Sequence, residues 1–167
     1  MRKFDHNGLL IAEYQGKLFE KSTELKCSSG VFIRRFLHSD LLKKLDTNYP
    51  SAVSLDPSEG ISNIIEQFGD TDYGREKYSG STMFWMGYMY RYISYTREVP
   101  TRLIMKLFPY KQMNNLFYTF HTQDPEWCVQ TLTEMNHLPE NVFDNNYRLK
   151  EAIKERKYYE TYLSNLN

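Results

Sequence analysis

Apolar residues recur along most of the chain at intervals of three and four, the spacing that places side chains on one face of an α-helix. In the first such segment, residues 9–25, apolar positions run from Ile11 to Leu25 with charged residues between them. Glycine is unfavourable inside a helix, so Gly16 leaves a β-hairpin that turns at residues 15–16 as the alternative. The spacing favours the helix, which is our prediction.

Capping residues mark where further helices begin. Ser28 or Ser29, and then Ser39, precede two short amphipathic segments, and serine is a favourable N-cap. The chain reads Asp-Pro at residues 56–57 and again at residues 124–125. An acidic N-cap followed by proline at the first helical position predicts a helix start at each site.

Proline, glycine and polar clusters delimit the remaining elements. Further helices are predicted at residues 82–97, 111–120 and 147–166, with a short one around residues 103–107. Loops are predicted at residues 47–55, 70–81 and 137–146, the second of them mobile. No segment keeps a strand period for long. We therefore predict an all-α, single-domain helical bundle, with a core at residues 1–138 and a C-terminal amphipathic helix at residues 139–167 packed on it or extending from it.

The helix predicted at residues 82–97 has almost no polar face. Its aromatic residues are Phe84, Trp85, Tyr88, Tyr90, Tyr92 and Tyr95. A helix that is apolar all round is normally central in a bundle, so we expect a scaffold around which the other helices pack. The alternative is an aromatic binding groove, because tyrosine offers an apolar body and a polar tip.

Arg91 lies in the middle of this aromatic helix. A buried guanidinium must be paired, so we expect a structural salt bridge, with Asp124 or Glu66 as partner. The alternative is that Arg91 holds an anionic ligand or partner.

Composition and charge narrow the classes of protein to which this chain can belong. The 167 residues include 21 Lys or Arg and 21 Asp or Glu, so the formal net charge is zero. A length of this order suits one domain, and a balanced charge argues against bulk binding of polyanions. The two cysteines, Cys27 and Cys128, form no C-x-x-C pair and are typical of free thiols in a reducing compartment. Residues 1–8 lack a signal-peptide core, and the longest apolar stretch is too short to span a bilayer, so we expect a cytoplasmic protein without membrane contact.

No pattern for catalysis, a metal or a cofactor stands out. The four histidines have no partner at metal-ligand spacing, and the eight glycines form no phosphate-binding loop. We therefore expect no enzyme, no cofactor and no metal. The richest short segment is residues 121–125, where His121 and Asp124 are either a turn and helix cap or an acid/base pair.

Basic residues accumulate between residues 83 and 121, where five basic side chains accompany one acidic side chain. Aromatic residues alternate with them. This pattern is typical of a solvated basic face, of a contact surface for an acidic partner, or of a nucleic-acid site. The spacing at residues 96–107 also allows a helix-turn-helix.

Four segments carry a resemblance to a known family. They are residues 14–20, 31–39, 85–92 and 120–125, in this order. On these segments the chain resembles a family of small bacterial antitoxin-like proteins from toxin–antitoxin-type gene neighbourhoods, whose partner toxins are of the ADP-ribosyltransferase type. The resemblance covers residues 9–135, and residues after Leu138 have no counterpart in the family. At residues 99–101 this chain has Val-Pro-Thr, where the family usually has a serine-rich turn. It implies no catalytic residues.

The resemblance implies a protein that binds and neutralises a cognate toxin. The candidate contact residues are the loop acids Asp70, Asp72 and Glu76, or else the basic, aromatic face of Tyr95, Arg97 and Arg102. A nucleic-acid-binding regulator, with DNA as the partner, is the first alternative. An enzyme with a dispersed site near His121 and Arg91 is the second.

Overall fold

The computed structural model describes residues 1–48 and 56–164, and within these ranges the chain forms nine α-helices, one 3₁₀ turn and no strand. The helices are α1 (His6–Lys21), α2 (Ser29–His38), α3 (Asp40–Leu45), α4 (Pro57–Phe68), α5 (Gly80–Arg97), α6 (Thr101–Leu107), α7 (Tyr110–Phe120), α8 (Pro125–Met135) and α9 (Asn146–Ser164). The all-α prediction is confirmed. Most of the loop predicted at residues 47–55 lies outside the described residues.

The aromatic helix α5 is central, as predicted. Of its 18 residues, 13 are buried, and it packs against α1, α6, α7 and α8. Its tyrosine hydroxyls bond where they are buried: Tyr90 donates to the carbonyl of Phe108 at 2.7 Å, and Tyr95 donates to the Asp5 carboxylate at 2.6 Å. At these two positions the polar tips thus let wide aromatic rings fill the core with their hydroxyls paired.

Helix α1 crosses α5 at very short distance because both helices have glycine at the crossing. A Cβ on Gly87 would lie 2.6 Å from the Gln15 carbonyl oxygen, and one on Gly16 would lie 2.9 Å from the Phe84 ring. Gly16 therefore sits inside α1 for packing reasons, and the β-hairpin alternative at residues 15–16 is wrong.

The capping signals are confirmed. Ser28 caps α2, Ser39 caps α3, and the Asp-Pro pairs begin α4 and α8. In α4 the carboxylate of Asp56 accepts a hydrogen bond from the Ser58 amide at 2.8 Å, and the helix ends at Gly69, where φ is +79°.

The loop between α4 and α5, residues 69–79, is fastened to the start of α2. The Ser28 and Ser29 amides donate to the carbonyls of Tyr73 and Glu76, each at 3.0 Å. Gly74 adopts φ +83°, and a Cβ there would lie 2.4 Å from Ser28 Oγ. The expected mobile loop is instead held against the domain at several points.

The C-terminal helix α9 both packs on the core and extends from it. Leu149, Ala152 and Ile153 are buried on the side that meets α6. Tyr159 and Leu163, which the sequence places on the same apolar stripe, are 64% and 59% exposed. Among the described residues, the stripe is therefore buried along the first half of the helix and more exposed at Tyr159 and Leu163.

Candidate functional site

An open groove lies beside α5 on the surface of the domain and encloses about 470 Å³. We call it the aromatic groove and define it by ten residues. They are Glu20, Ser81, Phe84, Trp85, Tyr88, Met89, Phe117, His121, Gln123 and Pro125. Its floor comes from α5, one wall from the end of α7 and the turn into α8, and the opposite rim from α1.

Ring contacts hold the walls of the groove in place. Trp85 meets Phe117 edge to face with ring centroids 5.9 Å apart, and Phe117 stacks on His121 at 4.6 Å. On the same side of α5, Phe84 and Tyr88 stack at 6.3 Å. Edge-to-face and offset stacked pairs are favourable aromatic geometries, so the rings form a preorganised surface.

His121 is an exposed residue of the groove, and one of its ring nitrogens is hydrogen-bonded. Its Nδ1 lies 2.9 Å from the Phe117 carbonyl oxygen. A carbonyl oxygen only accepts, so Nδ1 carries the hydrogen, and in the neutral ring Nε2 has the free lone pair. His121 therefore combines a fixed ring plane with an available acceptor.

The aromatic groove contains one carboxylate and no Lys or Arg among its lining residues. The carboxylate belongs to Glu20, which is exposed and forms no ion pair within the described part of the chain. Burial raises the pKa of Tyr88, and the charge of Glu13, which precedes Glu20 on α1, adds to the rise. The electrostatic character of the groove is thus acidic and aromatic.

Arg91 points away from the aromatic groove into the core and has no exposed surface. Its Nε donates to Gln15 Oε1 at 3.0 Å, while Nη1 donates to the Leu45 carbonyl at 3.1 Å and to Asp46 Oδ1 at 3.0 Å. Nη2 has no hydrogen-bond partner in the described residues. Burial lowers the pKa of Arg91, and the Asp46 carboxylate opposes that effect.

The groups around Arg91 are themselves bonded. Gln15 Nε2 donates to the Gly87 carbonyl at 2.9 Å, and Asp46 Oδ1 accepts from the Thr101 hydroxyl at 2.6 Å. This network joins α1, α5, α6 and the end of α3. The predicted structural salt bridge is confirmed, with a different partner.

The partners predicted for Arg91 are wrong because each lies elsewhere. Asp124 caps α8, where its Oδ1 accepts from the amides of Glu126 at 2.9 Å and Trp127 at 3.1 Å. Glu66 is an exposed residue of α4.

His121 and Asp124 have separate structural tasks, as the capping interpretation predicts. Asp124 holds the start of α8 and His121 bonds back to α7. No hydrogen bond joins the two side chains within the described residues. The dispersed site that would combine His121 with Arg91 is not assembled either, because Arg91 does not line the aromatic groove.

The loop acids are accessible. Asp70, Asp72 and Glu76 are all exposed, in the loop fastened to α2. The loop leads to Ser79, which caps α5, and Ser81 two residues on lines the aromatic groove. These carboxylates therefore lie on the chain segment that runs to one end of the groove.

The predicted basic face is largely occupied by contacts within the chain. Tyr95 has no exposed surface, so its prediction as a partner-binding residue is wrong: its ring fills the core beneath Arg2. The Arg97 side chain is 10% exposed and forms an ion pair with Glu126. Only Arg102 of the three is exposed, and its short helix α6 packs against α5 and α9.

The described residues hold no group of three or more His, Cys, Asp or Glu arranged to bind a metal ion. Cys27 and Cys128 are buried free thiols, and burial raises the pKa of Cys128 to about 11. No described helix combines the length and apolar character needed to cross a lipid bilayer.

Comparisons of the chain with protein-family models, with curated proteins and with solved structures find no match. The geometry of the aromatic groove and of the surrounding surface is therefore the basis for assigning a function.

Sequence reasoning missed Glu20, Phe117 and the groove they complete with α5. The i,i+4 spacing of Phe117 and His121 was a usable signal, since it places both rings on one side of α7. Nothing local pointed to Glu20, because its position at the groove depends on how α1 crosses α5.

Proposed function

We propose that this protein is an antitoxin- or immunity-type protein of the cytoplasm, which neutralises a cognate toxin by direct contact centred on the aromatic groove. The observation that carries the proposal is the groove itself, which opens to solvent and is lined by the half-buried Phe84 and Tyr88 and by the largely buried Trp85 and Phe117. A surface groove lined mainly by apolar and aromatic side chains is typical of a binding site.

The residue types in the groove suit a protein partner. Tryptophan and tyrosine dominate binding hot spots because they bury a large area at a low cost in side-chain entropy. A stable interface buries about 1,200–2,000 Å² in total. The groove supplies the apolar centre, and the exposed acids Asp70, Asp72 and Glu76 extend the contact toward the start of α5.

The resemblance to antitoxin-like proteins supplies the class of partner, a toxin of the ADP-ribosyltransferase type. A cleft that accepts an anionic dinucleotide offers positive donors, and acidic groups complement them. The accessible acids of the loop fit this partner better than the basic face does, because Tyr95 and Arg97 are engaged within the chain.

The test is co-expression with the product of the neighbouring open reading frame, read as rescue of growth and then as co-purification. Tyr88→Ala and His121→Ala remove groove side chains, and Asp70→Lys with Asp72→Lys reverses the loop charge. We expect each change to weaken neutralisation. Tyr147→Ala is the matched control, since Tyr147 is 73% exposed on α9 and outside the groove.

Arg102→Glu tests the alternative basic surface. Arg97→Glu is uninformative, because it breaks the ion pair with Glu126 and perturbs the fold. If Arg102→Glu abolishes neutralisation while the groove and loop variants retain it, the contact lies on the basic face. A non-toxic neighbouring protein, or failure to co-purify at micromolar concentration, contradicts the proposed function.

A further inference from the structure

Glu20 is the carboxylate among the residues that line the aromatic groove, and none of these residues is Lys or Arg. Glu20 stands at the end nearest the start of α5, where its side chain passes 3.5 Å from the Cβ position of Gly80. Glu20 also lines a neighbouring hollow, which contains Lys17 and Lys21. A cation entering the groove would meet aromatic faces and a free carboxylate.

Aromatic faces attract cations. The π-electrons of Trp, Tyr and Phe place negative potential over the ring, and a desolvated ammonium or guanidinium gains from contact with it. Arginine suits such a surface better than lysine, because its planar and weakly hydrated guanidinium stacks on rings while its edge donates to a carboxylate. Glu20 supplies the carboxylate that completes this arrangement.

We propose that the aromatic groove receives an arginine side chain of the partner protein, stacked on the rings of Phe84 and Tyr88 and paired with Glu20. This inference rests on the proposed function and names the chemistry of its contact. The groove volume of about 470 Å³ falls in the range of sites that hold a small ligand group. Because the groove is open on one side, the arginine reaches it from an opposing protein surface.

The acceptor on His121 is a second point of recognition. His121 is exposed and lines the groove, so its Nε2 lone pair can accept from a guanidinium N–H while the ring stays stacked on Phe117. A carboxylate or phosphate would instead meet Glu20 without any compensating Lys or Arg in the groove. The site therefore discriminates for cations and against anions.

The experiment titrates the ¹⁵N-labelled full chain with the peptide acetyl-Leu-Arg-Leu-amide and follows the Trp85 indole N–H signal. The control peptide carries citrulline, which has the shape of arginine without its charge. We expect the arginine peptide to shift the signal and the citrulline peptide to bind about tenfold more weakly or not at all. A lysine peptide should bind more weakly than the arginine peptide.

Two charge variants test the carboxylate. Glu20→Gln removes the groove charge, whereas Glu24→Gln removes a neighbouring charge that lies outside the groove. We expect Glu20→Gln to raise the Kd for the arginine peptide about fivefold or more and Glu24→Gln to leave it within about twofold. Helical circular dichroism and the melting temperature, measured on both variants, should match those of the unmodified chain because both side chains are exposed.

The outcomes separate this inference from the proposed function. Equal binding of the arginine and citrulline peptides, or an unchanged Kd in Glu20→Gln, overturns the arginine site. If toxin neutralisation still depends on Tyr88 and His121 in that case, the proposed function stands without it. Binding of the arginine peptide with the expected Glu20 dependence supports the site even where the neighbouring protein is not a toxin.

Discussion

Asp46 and Arg91, 45 positions apart in the chain, form a 3.0 Å ion pair at the point where α1, α3, α5 and α6 meet. The Arg91 side chain is fully buried, whereas the Asp46 side chain is 23% exposed. The pair is therefore the centre of a polar network inside a largely apolar core. Removing one partner of such a pair leaves an unpaired buried group, which is costly.

The first prediction concerns this network. Arg91→Ala leaves Asp46 and Gln15 without their partner and should lower the free energy of unfolding by about 3–5 kcal/mol, measured by urea denaturation. Arg102→Ala, at an exposed arginine, should change it by less than about 0.5 kcal/mol. A loss below about 1 kcal/mol in Arg91→Ala would show that the network relaxes and adds little stability.

The second prediction concerns the crossing of α1 and α5. A methyl group at Gly87 would lie 2.6 Å from the Gln15 backbone oxygen, so the helices must move apart in Gly87→Ala. We expect a loss of about 1–3 kcal/mol. Gly80→Ala is the control, because the nearest atom there is 3.5 Å away, which is ordinary contact. Equal stability of the two variants would mean that the crossing is not tightly packed.

The third prediction concerns the Tyr90 hydroxyl. Tyr90→Phe removes the donor to the buried Phe108 carbonyl, which is left without that bond, and should cost about 1–3 kcal/mol. Tyr158→Phe, at a side chain that is 70% exposed, should have no measurable effect on the unfolding midpoint. Burial raises the pKa of Tyr90 well above its ordinary value, so its ionisation should accompany unfolding.

The fourth prediction concerns alkaline pH. Burial is the leading cause that raises the pKa of Tyr14, Tyr78, Tyr92 and Tyr95 from 10.0 to about 12. In the unfolded chain these hydroxyls ionise at a lower pH than in the folded chain. Their contribution to the free energy of unfolding is therefore complete below pH 10 and is lost as pH rises toward 12. The tyrosinate absorbance that these four side chains contribute should therefore appear together with the loss of helical circular dichroism. Ionisation of every tyrosine near pH 10 with the helices intact would contradict this.

The helices and their starts could be predicted from the sequence because their causes are local. The side chains of Asp56 and Asp124 accept hydrogen bonds from backbone amides two or three residues away, and a helix starts at each Asp-Pro pair. The short helices after Ser28 and Ser39 follow the same rule. The central place of α5 was also predictable, since a helix without a polar face must be covered on all sides.

The candidate site was predictable only in part. The aromatic helix and His121 were singled out, and both contribute to the aromatic groove. The sequence does not distinguish the buried Tyr95 from the half-buried Tyr88. Both lie on a helix with almost no polar face, and the packing of the N-terminal residues decides which ring is covered. The loop acids were expected to be accessible, and they are.

The sequence by itself determined the all-α character, the capped helix starts and the need for a partner at Arg91. Hydrogen bonds within a helix and its caps join residues at most a few positions apart, so a local pattern contains the information. The tertiary structure decided that Asp46 pairs with Arg91, that Glu20 lines one groove with Phe84 and Phe117, and that Arg97 forms an ion pair with Glu126. These residues lie tens of positions apart in the chain, so only the packing of the helices brings them together, and the close approach of α1 to α5 depends on Gly16 and Gly87.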